Sequence, residues 1–290
     1  MNIAEPIVTL RVHDREVAHY VTHPVLADTL SPRPFLHPVR TLGGTPVTDA
    51  LPEDHRWHLG AGLAVPDVAG SNLWGGRTYL RDLGYTWRAD HGRIVHLDWD
   101  SRDGGGFAHR LGWYAAGGRL LLTEERTVTA RVVPGSEDAW LLSFSTELTN
   151  PTHQTVALGS PATNGRPGGA GYGGFFWRAV ADAPPRVFTA TASGEDRVNG
   201  SDAPWLALTA RVPADVDPGT GRYTLVFTGL SGADRWFVRS AGYPGVCAAL
   251  AFTDPLPLEP GATLRRRYRV VVADGTRDEH DVAALVTALD

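Results

Sequence analysis

The chain has 290 residues, 42% of them hydrophobic and 20% charged, with a net charge of -5 and a pI near 6.1. This composition supports an ordinary core and does not suggest disorder, and its acidic balance argues against nucleic acid, which needs a basic face. All 27 basic residues are arginine, which removes Schiff bases, pyridoxal-phosphate attachment, Walker-type phosphate loops and lysine general bases. The single cysteine, Cys247, sits in an apolar run; it excludes an internal disulfide and a cysteine metal site and reads as a core residue. Met1 to Pro6 lacks the basic and apolar regions of a signal peptide, and no apolar run approaches the ~18 residues of a membrane span. A soluble, cytoplasmic protein with no membrane partner is expected.

The first elements, Pro6 to Val12 and Arg15 to Val21, read as a hairpin about a tight turn at His13-Asp14. Further strands are expected at Leu59 to Val65, Arg93 to Asp98, Arg119 to Val133, Ala139 to Thr149, Arg186 to Thr191, Trp205 to Arg211, Tyr223 to Thr228, Val246 to Phe252 and Thr263 to Ala273. The 33 glycines and 21 prolines punctuate them. The last element is a helix, Glu279 to Leu289, capped by Asp278, with Val282, Leu285 and Leu289 on one stripe. Many short strands with no helices between them indicate an all-β fold, a large antiparallel β-sandwich with one short C-terminal helix. A single domain over residues 1–290 is expected, with Pro161 to Gly174 as a mobile glycine-rich loop inside it. That loop is not a nucleotide loop, because it lacks both the lysine and the strand-to-helix context.

Two charged patterns read as surface features. Glu124 and Arg126 share a strand face and are expected to form a solvated pair, with lining a cleft as the lesser reading. Arg265, Arg267 and Arg269 alternate along one face, as charges that protect an exposed edge strand do.

Chemistry concentrates between Arg33 and Arg77. Thr48 to Gly60 alone holds His55, His58, Trp57, Asp49, Glu53 and Asp54, with no clean helical or strand period. Polar, aromatic and titratable groups packed into a loop suit a binding or catalytic site. His37, His55 and His58 are the candidate acids and bases and are expected to share one cleft. On an ideal strand positions 55 and 58 face opposite ways, so a bend is required. The same histidines with Asp54 also allow a divalent metal site, and structural bonding to loop carbonyls is the third reading. Asp54, bonded to one ring nitrogen of His55, would fix its tautomer. Arg33, Arg40 and Arg77 either hold a ligand oxygen or pin loops; Arg40 is the candidate for the ligand. Trp57 and Trp74 suit the C–H face of a sugar ring, with Asn72 beside them as a hydrogen bonder. Tyr172 and Arg178, from Gly171 to Arg178, are placed to reach over the same cleft.

These segments together resemble a known family. Phe35-Leu36-His37-Pro38, Gly43-Gly44 with Val47-Thr48, Asp54-His55 with His58 and Gly60, Asn72 with Trp74-Gly75, and Gly171 to Gly174 with Phe176 and Arg178 are similar to the PmoA-like family. Trp236-Phe237 with Arg239, and Leu258, Pro260-Gly261, Leu264 and Asp274-Gly275 add to the likeness, which runs from about residue 6 to 289. The resemblance implies a bacterial, cytoplasmic supersandwich of galactose-mutarotase-like outline. It also implies a place in sugar catabolism beside an oxidoreductase of the Gfo/Idh/MocA type. The methane-oxygenase label attached to that family does not suit a β protein without membrane helices. It carries no catalytic residues over.

The resulting expectation is a carbohydrate-processing enzyme, a lyase, hydrolase or isomerase, acting by histidine acid/base chemistry on a sugar or keto-sugar without a resident cofactor. A non-catalytic carbohydrate-binding protein and a metal-dependent hydrolase or oxygenase are the alternatives.

Overall fold

The computed structural model describes residues 8–217 and 220–289. Pro6 and Ile7 of the expected first strand, and the Met1 to Pro6 stretch read for a leader, lie outside the described residues. Two antiparallel sheets face each other. The first runs in the order Val8–Val12, Arg15–Val21, Phe35–Val39, Ala61–Ala64, Gly174–Arg178, Gly245–Ala249, Arg235–Arg239. The second runs Arg186–Phe188, Trp205–Arg211, Arg222–Thr228, Thr263–Asp274, Ala139–Thr149, Leu120–Val132, Gly106–Tyr114, Arg93–Arg102. Smaller sheets form from Leu256–Leu258, Val156–Gly159 and Asp67–Val68, and from Thr78–Leu80 with Gly84–Thr86. The chain is an all-β sandwich, as its turn-punctuated pattern dictates. Among the described residues no helix is long and apolar enough to cross a membrane.

The opening hairpin turns where expected, with His13 in the left-handed region at φ 52°. The C-terminal helix spans Glu279–Thr287, and the Asp278 carboxylate accepts the Asp281 amide at 2.9 Å, satisfying one of the orphan donors of the first turn. A one-turn helix at Glu195–Val198 was not expected. Nor were several strands. Phe35–Val39 carries Pro38, which sequence rules demote, and Gly106–Tyr114 is read only if the alternation of Phe107, His109, Leu111 and Trp113 is followed through.

The core lies between the sheets, one continuous apolar cluster drawn from both. Phe175 of the first sheet stacks on Tyr268 of the second at 5.2 Å and meets Phe144 at 4.8 Å. Both outer faces are also covered. Val282 and Leu289 of the C-terminal segment bury against Leu141, Ala207, Val226 and Val271 on the back of the second sheet. The back of the first sheet is covered by loops instead. Strand alternation sends Phe175 and Trp177 to the core and Phe176 outward, and sends Trp236 and Val238 inward and Phe237 outward. Phe176, Cys247 and Phe237 lie side by side in register, and this aromatic patch is the floor on which the functional loops rest.

Two expectations are corrected here. Glu124 and Arg126 are not a solvated pair: they are 1% and 0% exposed, on the inward face of Leu120–Val132. Burial is tolerated because every polar atom is matched. Arg126 donates to both carboxylate oxygens of Glu124 (2.7 and 2.8 Å) and to Tyr20 Oη (2.8 Å). Trp113 Nε1 and Thr146 Oγ1 donate to the same carboxylate at 2.8 and 2.9 Å. A buried charge persists where its partner and its remaining lone pairs are all satisfied. The arginine ladder, for its part, is not on an edge strand: its strand, Thr263–Asp274, lies between Arg222–Thr228 and Ala139–Thr149. The pairing with Arg222–Thr228 stops at Arg269, however, and Arg265, paired to Glu147 at 3.0 Å, and Arg267 lie past its end.

Candidate functional site

A cavity of about 440 Å³ opens on the outer face of the first sheet. Three loop regions wall it. The first, running on from Ala50, supplies Asp54, His55, Trp57 and His58; the segment from Trp74 to Trp87 supplies Trp74, Arg77, Tyr85 and Trp87. The third comprises Arg166, Tyr172 and, from the first sheet and the loop after it, Phe237, Arg239 and Tyr243. Tyr85 and Trp87 are 36% and 53% exposed, large aromatic faces left open to solvent at this wall.

The histidine loop is stapled at its base by the Ala50–Leu59 bridge. Inside it the His58 amide donates to the His55 carbonyl at 2.8 Å, the hydrogen bond of a β-turn. The turn brings positions 55 and 58 onto one side, so their rings stack with centroids 4.7 Å apart. This is the bend that strand parity requires. Trp57 swings back over Gly75-Gly76, whose φ values are 101° and 72°. A Cβ on Gly76 would lie 2.6 Å from the Trp57 ring, so only glycine admits the indole there.

His55 Nδ1 donates to Asp54 Oδ2 at 2.8 Å, which leaves Nε2 as the ring atom offered to a ligand. Burial pushes the Asp54 carboxyl up, but the His55 bond and the Arg178 charge outweigh it and hold it below the ordinary carboxylate range. His58 is 1% exposed, and burial, reinforced by the charges of His55, Arg178 and Arg33, pushes its pKa well below the usual imidazole value. His58 is therefore a neutral ring; its buried Nδ1 has no hydrogen-bond partner. Tyr243 closes on both rings, 4.7 Å from His55 and 4.9 Å from His58. Its loop is fixed by Glu195, which accepts from the Ser240 and Ala241 amides at 2.6 and 3.2 Å.

The cavity therefore gathers His55, His58, Asp54, Trp57, Trp74, Arg77 and Tyr172 of the residues singled out from sequence. It does not gather the rest. His37 lines no part of it: its Nδ1 lies 3.1 Å from Thr48 Oγ1, and burial and the charges of Arg40 and His19 push it down to about 4. The three-histidine cluster is thus a pair. Arg40 bonds the Gly44 carbonyl at 3.2 Å, pinning its own loop. Asn72 spends both ends inside the protein, accepting the Trp74 and Gly75 amides and donating to Thr78 Oγ1 at 3.1 Å. It shapes the loop and is not among the residues lining this cavity. Arg178 stands behind the wall, 3.3 Å from Asp54 and 5.1 Å from the Tyr243 ring, where it holds the Asp54 carboxylate in place. Arg33 is a loop pin too, donating to the Trp57 and Trp74 carbonyls at 2.8 and 2.9 Å.

Six wall residues were not selected from sequence: Tyr85, Trp87, Arg166, Phe237, Arg239 and Tyr243. The alternation Tyr85-Thr86-Trp87 and the aromatic between Gly242 and Pro244 were the available signals. The glycine-rich segment contributes through Tyr172, whose hydroxyl shares a 2.9 Å bond with Tyr85, and through Arg166, which donates to Tyr85 Oη. Among the described residues no group of three or more His, Cys, Asp or Glu side chains is placed to hold a metal ion.

Solved structures with which the chain can be aligned include a polysaccharide lyase, at 12% identity and TM-score 0.36 over 94% of this chain. They also include the GH36 alpha-galactosidase AgaA from Geobacillus stearothermophilus, at 11% identity and TM-score 0.35 over 80% of this chain. The chain spans about a third of the length of these proteins, 34% and 32% respectively. No curated protein matches the sequence. A family match covers nearly the whole chain, residues 7–287, and the protein belongs to that family, DUF6807, a family of unknown function.

Proposed function

We propose that the protein is a carbohydrate-processing enzyme that moves a proton at a sugar carbon made acidic by a neighbouring carbonyl, as in epimerisation, ring opening or elimination. One observation carries this reading: the Asp54–His55 pair, joined at 2.8 Å, sits in the wall of an aromatic cavity. The carboxylate fixes the tautomer, and His55 Nε2 takes and returns the proton. His58, held neutral, serves as a hydrogen-bonding group rather than an acid. Trp57 and Trp87 offer ring faces to the C–H face of a sugar, Trp74 backs them from its buried position, and the tyrosine hydroxyls offer polar contacts. The chemistry needs no metal. Asp54 already faces the Arg178 cation, which competes for the carboxylate, so a strong chelator is expected to leave turnover intact. The motif resemblance to PmoA-like domains fits a cytoplasmic role in sugar catabolism beside a Gfo/Idh/MocA-type oxidoreductase.

The test is incubation with neutral and acidic sugars and their keto derivatives in D2O, followed by NMR. Deuterium uptake or a new product, lost in His55→Ala while the fold persists, is the expected result. The aromatic walls by themselves also suit a non-catalytic carbohydrate-binding protein. Equal sugar affinity in both proteins, with neither exchange nor product in either, would establish that second reading instead.

A further inference from the structure

The charges of the cavity do not balance. Its wall holds the guanidinium groups of Arg77, Arg166 and Arg239 against one carboxylate, Asp54. Asp54 is not available to them, because its oxygens face His55 and Arg178. Arg239 is neutralised from behind by Glu195 at 3.5 Å. Among the described residues Arg166 meets the Tyr85 hydroxyl and ring face, 4.8 Å away, and lies near Tyr172, while Arg77 lies beside the Trp87 ring at 5.8 Å. None of these contacts supplies a negative charge. This surplus of cations stands in a protein whose net charge is -5, so it is local rather than a general property of the surface. It also lies among aromatic rings, whose low dielectric compared with water helps to focus the field. Arg166 lies over the Tyr85 ring and Arg77 beside the Trp87 ring, and the guanidinium groups carry further N–H donors suited to a planar, bidentate acceptor.

We infer that the ligand of this cavity is an acidic sugar, a hexuronate or related sugar carboxylate, whose carboxylate is received by Arg77 and Arg166 while its ring lies against the tryptophans. This rests on the carbohydrate reading above and names the substrate class of the same site. The inferred pose puts the carboxylate against Arg77 and Arg166 and leaves the rest of the ring to reach His55.

Calorimetric titration of the full chain with D-glucuronate and D-galacturonate, with D-glucose and D-galactose as neutral counterparts, tests it. The uronates should bind at least about 10-fold more tightly, and that advantage should shrink as salt rises. In Arg77→Gln and Arg166→Gln the preference for uronate over the matching neutral sugar should fall about 10-fold; melting temperatures taken on both variants exclude loss of fold. Equal affinity for acidic and neutral sugars would overturn the inference and leave the carbohydrate reading standing. Tighter binding of glucose 6-phosphate than of glucuronate would overturn the assignment of a carboxylate. If no sugar of either charge binds, the carbohydrate reading fails and this inference with it.

Discussion

His55 and His58 lie ring on ring, 4.7 Å apart and 17° from parallel, yet only His55 holds a carboxylate. The pair is thereby divided into a ring that can share a proton with Asp54 and a ring that burial keeps neutral. His58 is not alone in this. Burial, then the charges of Arg126 and His96, push His109 down to about 2, and His37 is lowered to about 4. All three have folded pKa values below the unfolded value, so below about pH 6.5 the unfolded chain binds protons that the folded chain refuses. Stability should therefore be full above about pH 6.5 and decline as the pH falls, by up to about 1.4 kcal/mol per pH unit for each fully buried ring. Thermal melts from pH 7.5 to 5 should show a steady loss of Tm, shallower in His58→Gln. The shift of Asp54 acts only below about pH 4 and does not enter this window. A Tm unchanged between pH 7 and 5 would mean that these rings are not held neutral.

Asp54 supports His55 chemically more than it supports the fold. Its side chain is 44% exposed, and its contact with Arg178 is long, at 3.3 Å. In Asp54→Asn the amide no longer carries the charge that fixes the His55 tautomer. Turnover should drop about 100-fold or more with KM little changed, while stability moves by less than about 1 kcal/mol. A variant that keeps its kcat would show that the carboxylate plays no part in the proton transfer.

Gly76 tests the wall rather than the chemistry. At φ 72°, with the Trp57 ring 2.6 Å from where a Cβ would stand, Gly76→Ala must both strain the backbone and displace the indole. A cost of about 1 to 3 kcal/mol is expected, together with weaker sugar binding. Gly84 provides the control, since it also has positive φ, 72°, but nothing within 4 Å. Gly84→Ala should carry the strain alone and leave affinity intact, as read by titration with the same sugar.

The sandwich was legible because its signal is local. The strands Arg15–Val21, Ala139–Thr149 and Trp205–Arg211 match their expected limits, and each shows strand composition bounded by turn residues. The histidine loop was legible too, since titratable residues without a period mark a loop whatever the fold. What was hidden depends on which strands neighbour which. Phe176 and Phe237 become the cavity floor only because Gly245–Ala249 sets them side by side, a pairing across more than fifty residues that no pattern within either strand encodes. Arg40 and Asn72 lie outside the cavity lining for a related reason. Their residue types suit ligands and loop pins equally, and only the partner atoms, the Gly44 carbonyl and the Trp74 amide, decide between them.

The buried Glu124–Arg126 pair gives the sharpest forecast about stability. Alternation placed both residues on one face, but charge argued for solvent, and the structure resolves the conflict by surrounding the pair with Tyr20, Trp113 and Thr146. Taking two charges out of water costs several kcal/mol per ion, and the bidentate contact with its three further hydrogen bonds offsets that cost only while both partners are present. Arg126→Met should therefore strand a buried carboxylate, and Glu124→Leu a buried guanidinium, each losing about 3 to 5 kcal/mol in denaturant unfolding. The double variant leaves no unpaired charge, although Tyr20, Trp113 and Thr146 lose acceptors or donors. Its loss should be clearly smaller than the sum of the two single losses, a coupling of at least about 2 kcal/mol in a double-mutant cycle. Strict additivity would show that each side chain acts through the apolar packing around it, and that the ion pair makes no contribution of its own to holding the two sheets together.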